Sequence, residues 1–109
     1  MVRNVEPELR PAVIAAPQFI TQRTLGNLER LMEQAIAEKP DVIDMALGNV
    51  QGIDSAGLGW LVGVQERLSG LGMKLRLADP TELIQDILMA TRLDTRFAVH
   101  CTTGSGRHA

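Results

Sequence analysis

The chain has one cysteine, no tyrosine and two histidines among its 109 residues. A single cysteine, Cys101, excludes an internal disulfide and is typical of proteins from a reducing compartment. A protein metal site needs several ligands at suitable spacing, and the neighbours His100 and Cys101 would point to opposite faces of a strand. We therefore expect no metal or other cofactor, and we expect Cys101 to be a buried, small apolar side chain.

A strong charge of either sign is also missing, since the formal net charge is −2. This balance gives no reason to expect nucleic acid or an anionic membrane as a partner. The chain has neither an apolar run long enough to cross a membrane nor a signal peptide pattern, which predicts a cytoplasmic protein without membrane insertion. Apolar residues make up 45% of it, and at this length one globular domain is expected.

Apolar periodicity alternates between strand-like and helix-like segments along the chain. Strands are predicted at residues 12–16, 42–47, 73–78 and 97–101, with a short edge strand within residues 1–10. Helices are predicted at residues 24–39 and 55–71, and a third begins at Asp79-Pro80-Thr81-Glu82 with Asp79 as its cap. Residues 48–54 read as a loop. The alternation predicts an α/β fold: a mixed sheet of about four to five strands with packed helices over residues 1–103, and a flexible tail at 104–109.

The central helix has an unusual composition. On a helical wheel its predicted buried face comprises Leu58, Leu61, Val62, Gln65 and Leu68. The opposite side carries Ala56, Gly59, Trp60, Gly63 and Arg67. That side has small residues and one aromatic where surface helices usually carry charge, which is typical of a face that docks on a partner. Alternatively, Trp60 packs with Leu71 against a neighbouring helix, and the glycines only permit close packing.

Asp54 and Ser55 lie where a loop turns into this helix. A serine hydroxyl at a helix start is exposed and can accept a phosphate beside the positive end of the helix dipole. Asp54 either caps the helix or assists recognition by a kinase. As a catalytic nucleophile Ser55 would need an oriented base, and neither His100 nor His108 has an evident partner. We therefore expect a protein that is not an enzyme.

Gly57, Gly59 and Gly63 open this helix, and Asp79 follows about twenty residues later. This arrangement is similar to a dinucleotide-binding fingerprint, although the spacing before the third glycine is one residue too long. A small nucleotide-binding module is therefore one alternative function.

The segment Asp54-Ser55-Ala56-Gly57-Leu58-Gly59 resembles the STAS domain, and more narrowly the bacterial anti-sigma factor antagonists, which commonly read Asp-Ser-Ser-Gly-Leu-Gly there. The stretches 72–77 and 89–94 also fit that family. The resemblance implies a STAS-type fold and phosphorylation of Ser55 by an anti-sigma factor with serine kinase activity. It implies docking through the face of the helix around Ser55. Together with the small-residue side of the helix, this predicts the partner-binding residues Asp54, Ser55, Ala56, Gly57, Gly59, Trp60 and Gly63. Phosphorylation would end docking and a phosphatase would restore it, in a monomer or weak dimer.

The chain departs from that family at two acidic positions. A turn similar to Gly-Glu-Leu-Asp usually follows the first long strand, but here the matching stretch 16–20 has no carboxylate. An aspartate usually ends the next strand, where this chain has Ala46, with Asp44 two residues earlier. A STAS subunit that modulates a lipid-transport ABC ATPase without being phosphorylated is therefore a further alternative.

Overall fold

A computed structural model of the protein describes residues 10–101, and these residues form six strands and three helices. The strands are β1 (Pro11–Ala15), β2 (Phe19–Ile20), β3 (Val42–Ala46), β4 (Gly52–Ile53), β5 (Lys74–Ala78) and β6 (Ala98–His100). The helices are α1 (Leu25–Ala37), α2 (Ser55–Gly70) and α3 (Glu82–Ala90). The predicted α/β class is confirmed. The predictions of an edge strand before Arg10 and of a tail at 104–109 lie outside the described residues.

The main sheet has the strand order β1-β3-β5-β6, and its pairings are parallel. No antiparallel pair occurs among the strands of residues 10–101, although a mixed sheet was expected. Two short strands, β2 and β4, form a second parallel pair, so part of the stretch predicted as a loop at 48–54 is a strand. The amide of Gln51 donates to the carbonyl of Gln18 at 2.7 Å, which extends this pair by one bond.

One face of the main sheet forms the core. Alternate residues of a strand point to opposite faces, and the register brings Ile14, Met45 and Leu77 side by side. These residues pack with buried side chains of the helices, among them Leu28, Met32, Leu61, Leu68, Ile84 and Leu88. The strands thus meet their helices through a single apolar layer.

The other face of the sheet carries an ion pair. Asp44 and Arg76 are opposite each other on β3 and β5, and the guanidinium donates to both carboxylate oxygens at 2.6 and 2.9 Å. Asp44 is only 8% exposed. Its hydrogen bond raises the pKa of Arg76 above its ordinary value. The carboxylate of Asp44 is therefore engaged within the sheet by Arg76.

The buried face of α2 differs from the predicted one. Its buried residues are Gly57, Leu61, Val64 and Leu68, whereas Leu58, Val62 and Gln65 are only half-buried. Leu61 and Leu68 were predicted correctly. The predicted face was centred on Leu58 because that residue is apolar. The observed face is centred one position earlier, because the backbone at Gly57 packs closely against β2.

Two further predictions about local structure are wrong. The cap of α3 is Thr81, whose hydroxyl accepts a hydrogen bond from the amide of Ile84 at 3.3 Å. Asp79 instead adopts the left-handed conformation, with φ +52°. Cys101 is exposed, because it follows the end of β6 at the edge of the sheet. None of the helices within residues 10–101 has the length and apolarity needed to cross a bilayer.

Candidate functional site at the start of helix α2

The carboxylate of Asp54 organises the start of α2. Its backbone is extended, as expected for a residue that precedes a helix. One oxygen, Oδ1, accepts a hydrogen bond from the amide of Gly57 at 2.8 Å, and Oδ2 accepts one from the amide of Gln22 at 3.2 Å. Asp54 therefore caps α2 and also joins it to the turn that precedes α1.

Ser55 is the first residue of α2 and is exposed. Among residues 10–101 its hydroxyl makes no hydrogen bond, so neither a base nor a neighbouring carboxylate holds it. The same residues contain no group of three or more His, Cys, Asp or Glu side chains that could bind a metal ion. The geometry leaves Ser55 accessible to another protein and gives it no activating partner within the described part of the chain.

Three of the glycines of α2, Gly57, Gly59 and Gly63, occupy different environments. A Cβ on Gly57 would lie 2.4 Å from the carbonyl oxygen of Ile20, a distance that real Cβ atoms do not tolerate. Gly57 thus allows the helix to lie against β2. Gly59 and Gly63 have nothing within 4 Å of the corresponding position and are exposed. Together with the half-buried Ala56 they form a bare side of α2, which is the name used below for Ala56, Gly59 and Gly63.

Trp60 has a partner on α1. Its indole N–H donates to Oε1 of Glu29 at 2.9 Å, and Arg67 donates to both oxygens of the same carboxylate at 2.8 and 3.0 Å. The bonds from Arg67 first, and from Trp60 second, lower the pKa of Glu29 from 4.5 to about 2. Trp60 is half-buried and packs against the core. The tryptophan thus packs against the protein itself, as in the alternative interpretation, although Leu71 remains 54% exposed.

The order of the elements, the capping aspartate and the exposed serine agree with one family. The model of the STAS domain matches residues 9–105. The chain belongs to the STAS domain family. No curated protein matches the chain in a search by sequence.

The sequence placed Asp54 and Ser55 at the start of a helix of this STAS domain, as the structure does. It missed Glu29, which joins α1 to α2, because one glutamate among several on an amphipathic helix carries no distinguishing signal. It also missed Phe19, which is 48% exposed on β2. These contacts could not be predicted, because Glu29 bonds to Trp60 and Phe19 pairs with Gly52, and each partner is more than thirty positions away in the sequence.

An open cleft of about 500 Å³ lies near the carboxyl ends of β1 and β3 in the STAS domain. It is lined by Ala16, Pro17, Gln18, Gly48, Asn49, Val50, Gln51 and Thr81. None of these side chains is charged. The hydroxyl of Thr81 already donates a hydrogen bond to the carbonyl of Val50 and accepts one from the amide of Ile84. The cleft offers no cation for a phosphate, and Gly57, the first glycine of the nucleotide-like pattern, is buried against β2.

Proposed function

We propose that this STAS domain is an anti-sigma factor antagonist that is not itself an enzyme. In this proposal the start of α2 docks on an anti-sigma factor with serine kinase activity, which releases a sigma factor. Phosphorylation of Ser55 ends docking, and a phosphatase restores it. The observation that carries the proposal is the exposed, unbonded hydroxyl of Ser55 at the first position of α2, next to the capping carboxylate of Asp54.

The physical basis of the switch is charge. A phosphate on Ser55 adds about −1.5 to −2 charges beside the carboxylate of Asp54. The amide of Gly57, which a phosphate at the helix start could otherwise use, already donates to Asp54. The helix dipole favours an anion there by only about 0.3–1 kcal/mol. Phosphorylation therefore adds charge that must lose its hydration when the partner binds. The Gly57 amide and the helix dipole offset little of this desolvation free energy.

The bare side of α2 supports the docking part of the proposal. Gly59 and Gly63 leave the helix backbone uncovered and adjacent to Ser55. A partner can approach such a side closely, because no long side chain has to be displaced or ordered. Trp60 contributes indirectly, since its bond to Glu29 fixes α2 against α1.

The experiment is intact-mass spectrometry after incubation with ATP and a candidate anti-sigma kinase from the same organism. The unmodified chain and Ser69→Ala should gain one phosphate, about 80 Da, and Ser55→Ala should gain none. Ser69 is the matched control because it is an exposed serine in the last turns of the same helix. Equal phosphorylation of Ser55→Ala, or no phosphorylation by a kinase that modifies another substrate, would contradict the switch.

A second candidate follows from the segment 16–20, which has no carboxylate where the antagonists usually carry one. In this candidate the domain docks constitutively on a lipid-transport ABC ATPase and changes its activity without phosphorylation. A chain that is never phosphorylated but alters the turnover of such an ATPase would favour it. No feature of the site favours a nucleotide-binding module, and isothermal titration calorimetry with millimolar nucleotide should show no binding heat.

A further inference from the structure

Strand β2 presents an aromatic ring outward beside the proposed site. Phe19 is 48% exposed, whereas the next residue, Ile20, is completely buried. The ring lies over Gly52, where an added Cβ would be 2.9 Å from Cδ1 of the phenylalanine. A larger residue at 52 would displace the ring. The pairing of β2 with β4 therefore places the ring of Phe19 over the backbone of Gly52, which has no side chain.

A cation follows Phe19 in the turn between β2 and α1. Arg23 is exposed, and within residues 10–101 its guanidinium makes no hydrogen bond and no ion pair. The turn itself is held in place, because the hydroxyl of Thr24 donates to the carbonyl of Phe19 at 2.9 Å. The amide of Gln22 also donates to Asp54. Arg23 is thus adjacent in sequence to a residue that is bonded to the start of α2.

Several arginines of the described chain are bonded within the chain. Arg67 and Arg76 each form two hydrogen bonds with a carboxylate, and Arg96 is paired with Glu66. Arg23, Arg30 and Arg92 are exposed and make no side-chain hydrogen bond or ion pair within residues 10–101. Of these three, Arg23 is the one in the turn that is bonded to Asp54 at the start of α2, and it is available to another molecule together with the ring of Phe19. Arginine and large aromatic residues are the types that most often supply binding energy at protein interfaces, and an unpaired cation favours a partner that brings a carboxylate.

We infer that Phe19 and Arg23 extend the docking surface at the start of α2. The surface takes a protein partner that presents an apolar side chain against Phe19 and a carboxylate against Arg23. This inference rests on the proposed function, because it specifies the chemistry of the surface that the anti-sigma factor must offer.

The test is a titration of the candidate anti-sigma kinase against purified variants at low and moderate salt. Arg23→Glu should weaken binding at least about tenfold, and it should lessen the salt dependence of the affinity. Arg23→Lys, which keeps the charge, should retain most of the affinity. Arg92→Glu makes the same charge change in the exposed turn after α3 and should bind within about twofold of the unmodified chain.

Phe19→Ala should also weaken binding about tenfold. Phe19→Leu, which keeps an apolar side chain over Gly52, should lose less and provides a second measurement if the alanine variant is unstable. Equal affinities of Arg23→Glu and Arg92→Glu would overturn the inference, as would unchanged binding by the folded Phe19 variants.

Ser55→Asp, measured in the same titration, separates the two proposals. If Ser55→Asp binds normally while Arg23→Glu is weak, the surface is supported and the phosphorylation switch fails. If Ser55→Asp is weak while Arg23→Glu binds normally, the switch is supported and the inference about Arg23 is overturned.

Discussion

The two sides of α2 carry similar small residues but have opposite surroundings. On one side, Gly57 lies against the carbonyl of Ile20 so closely that no Cβ fits. On the bare side, Gly59 and Gly63 have open space around the same position. A glycine-rich helix start can therefore pack closely against a strand on one side and leave its backbone open on the other. The sequence pattern alone does not distinguish the two uses, because they differ only in what lies opposite each glycine.

The largest expected effect is on the packed side. Gly57→Ala should lower the free energy of unfolding by about 3 kcal/mol, because the methyl group meets a backbone oxygen that cannot move without disturbing β2. Denaturation by urea, followed by circular dichroism, measures the change. A stability equal to that of the unmodified chain would show that α2 is not held against β2 at this point.

Asp54→Ala tests the cap at the start of α2, which also joins this helix to the turn before α1. Loss of the bonds to the amides of Gly57 and Gln22 should reduce the free energy of unfolding by about 1–2 kcal/mol. Asp54→Ser, which can still cap the helix, should lose less. The same urea titration measures both variants, and the prediction is wrong if serine and alanine destabilise equally.

Glu29→Gln tests the contacts that hold Trp60 and Arg67 on α1. The carboxylate is about one third exposed, so the loss at neutral pH should be no more than about 1 kcal/mol. The pKa of Glu29 is lower in the folded chain than 4.5, its ordinary value. Its stabilising contribution is therefore complete above about pH 4.5 and is lost as the pH falls toward 2.

Thermal unfolding between pH 2 and pH 7 measures this dependence. The difference in stability between the unmodified chain and Glu29→Gln should shrink as the pH falls through this range. Glu38→Gln is the control, since Glu38 is an exposed glutamate just after α1 and should leave the profile unchanged. A difference that stays constant down to pH 2 would contradict the role of Glu29.

The smallest effect is expected on the bare side, and its sign is opposite. Gly63→Ala should raise the free energy of unfolding by up to about 1 kcal/mol, because alanine favours a helix and the position is open. Urea denaturation beside Gly57→Ala provides the direct comparison. Destabilisation by Gly63→Ala would show that the two sides of α2 do not differ as the structure indicates.

Local patterns explain why most elements were predictable. The helical spacing of Leu28, Met32 and Ala35 predicts α1, and the alternation around Leu75 and Leu77 predicts β5. The pair β2–β4 could not be predicted, because strands of two residues have no periodicity to detect. The cap of α3 was misassigned because Asp79 and Thr81 both suit a helix start, and only the backbone conformation distinguishes them.

The sequence by itself determined the α/β order of elements and the place of Ser55 at the start of a helix. Both depend on interactions between residues close in the chain: apolar periodicity, and capping of Gly57 by Asp54 three residues earlier. Only the tertiary structure decided which glycine is packed, and that Trp60 bonds to Glu29, 31 positions away. Such contacts form when separate elements meet across the core, and no local pattern of residues records which partners will face each other.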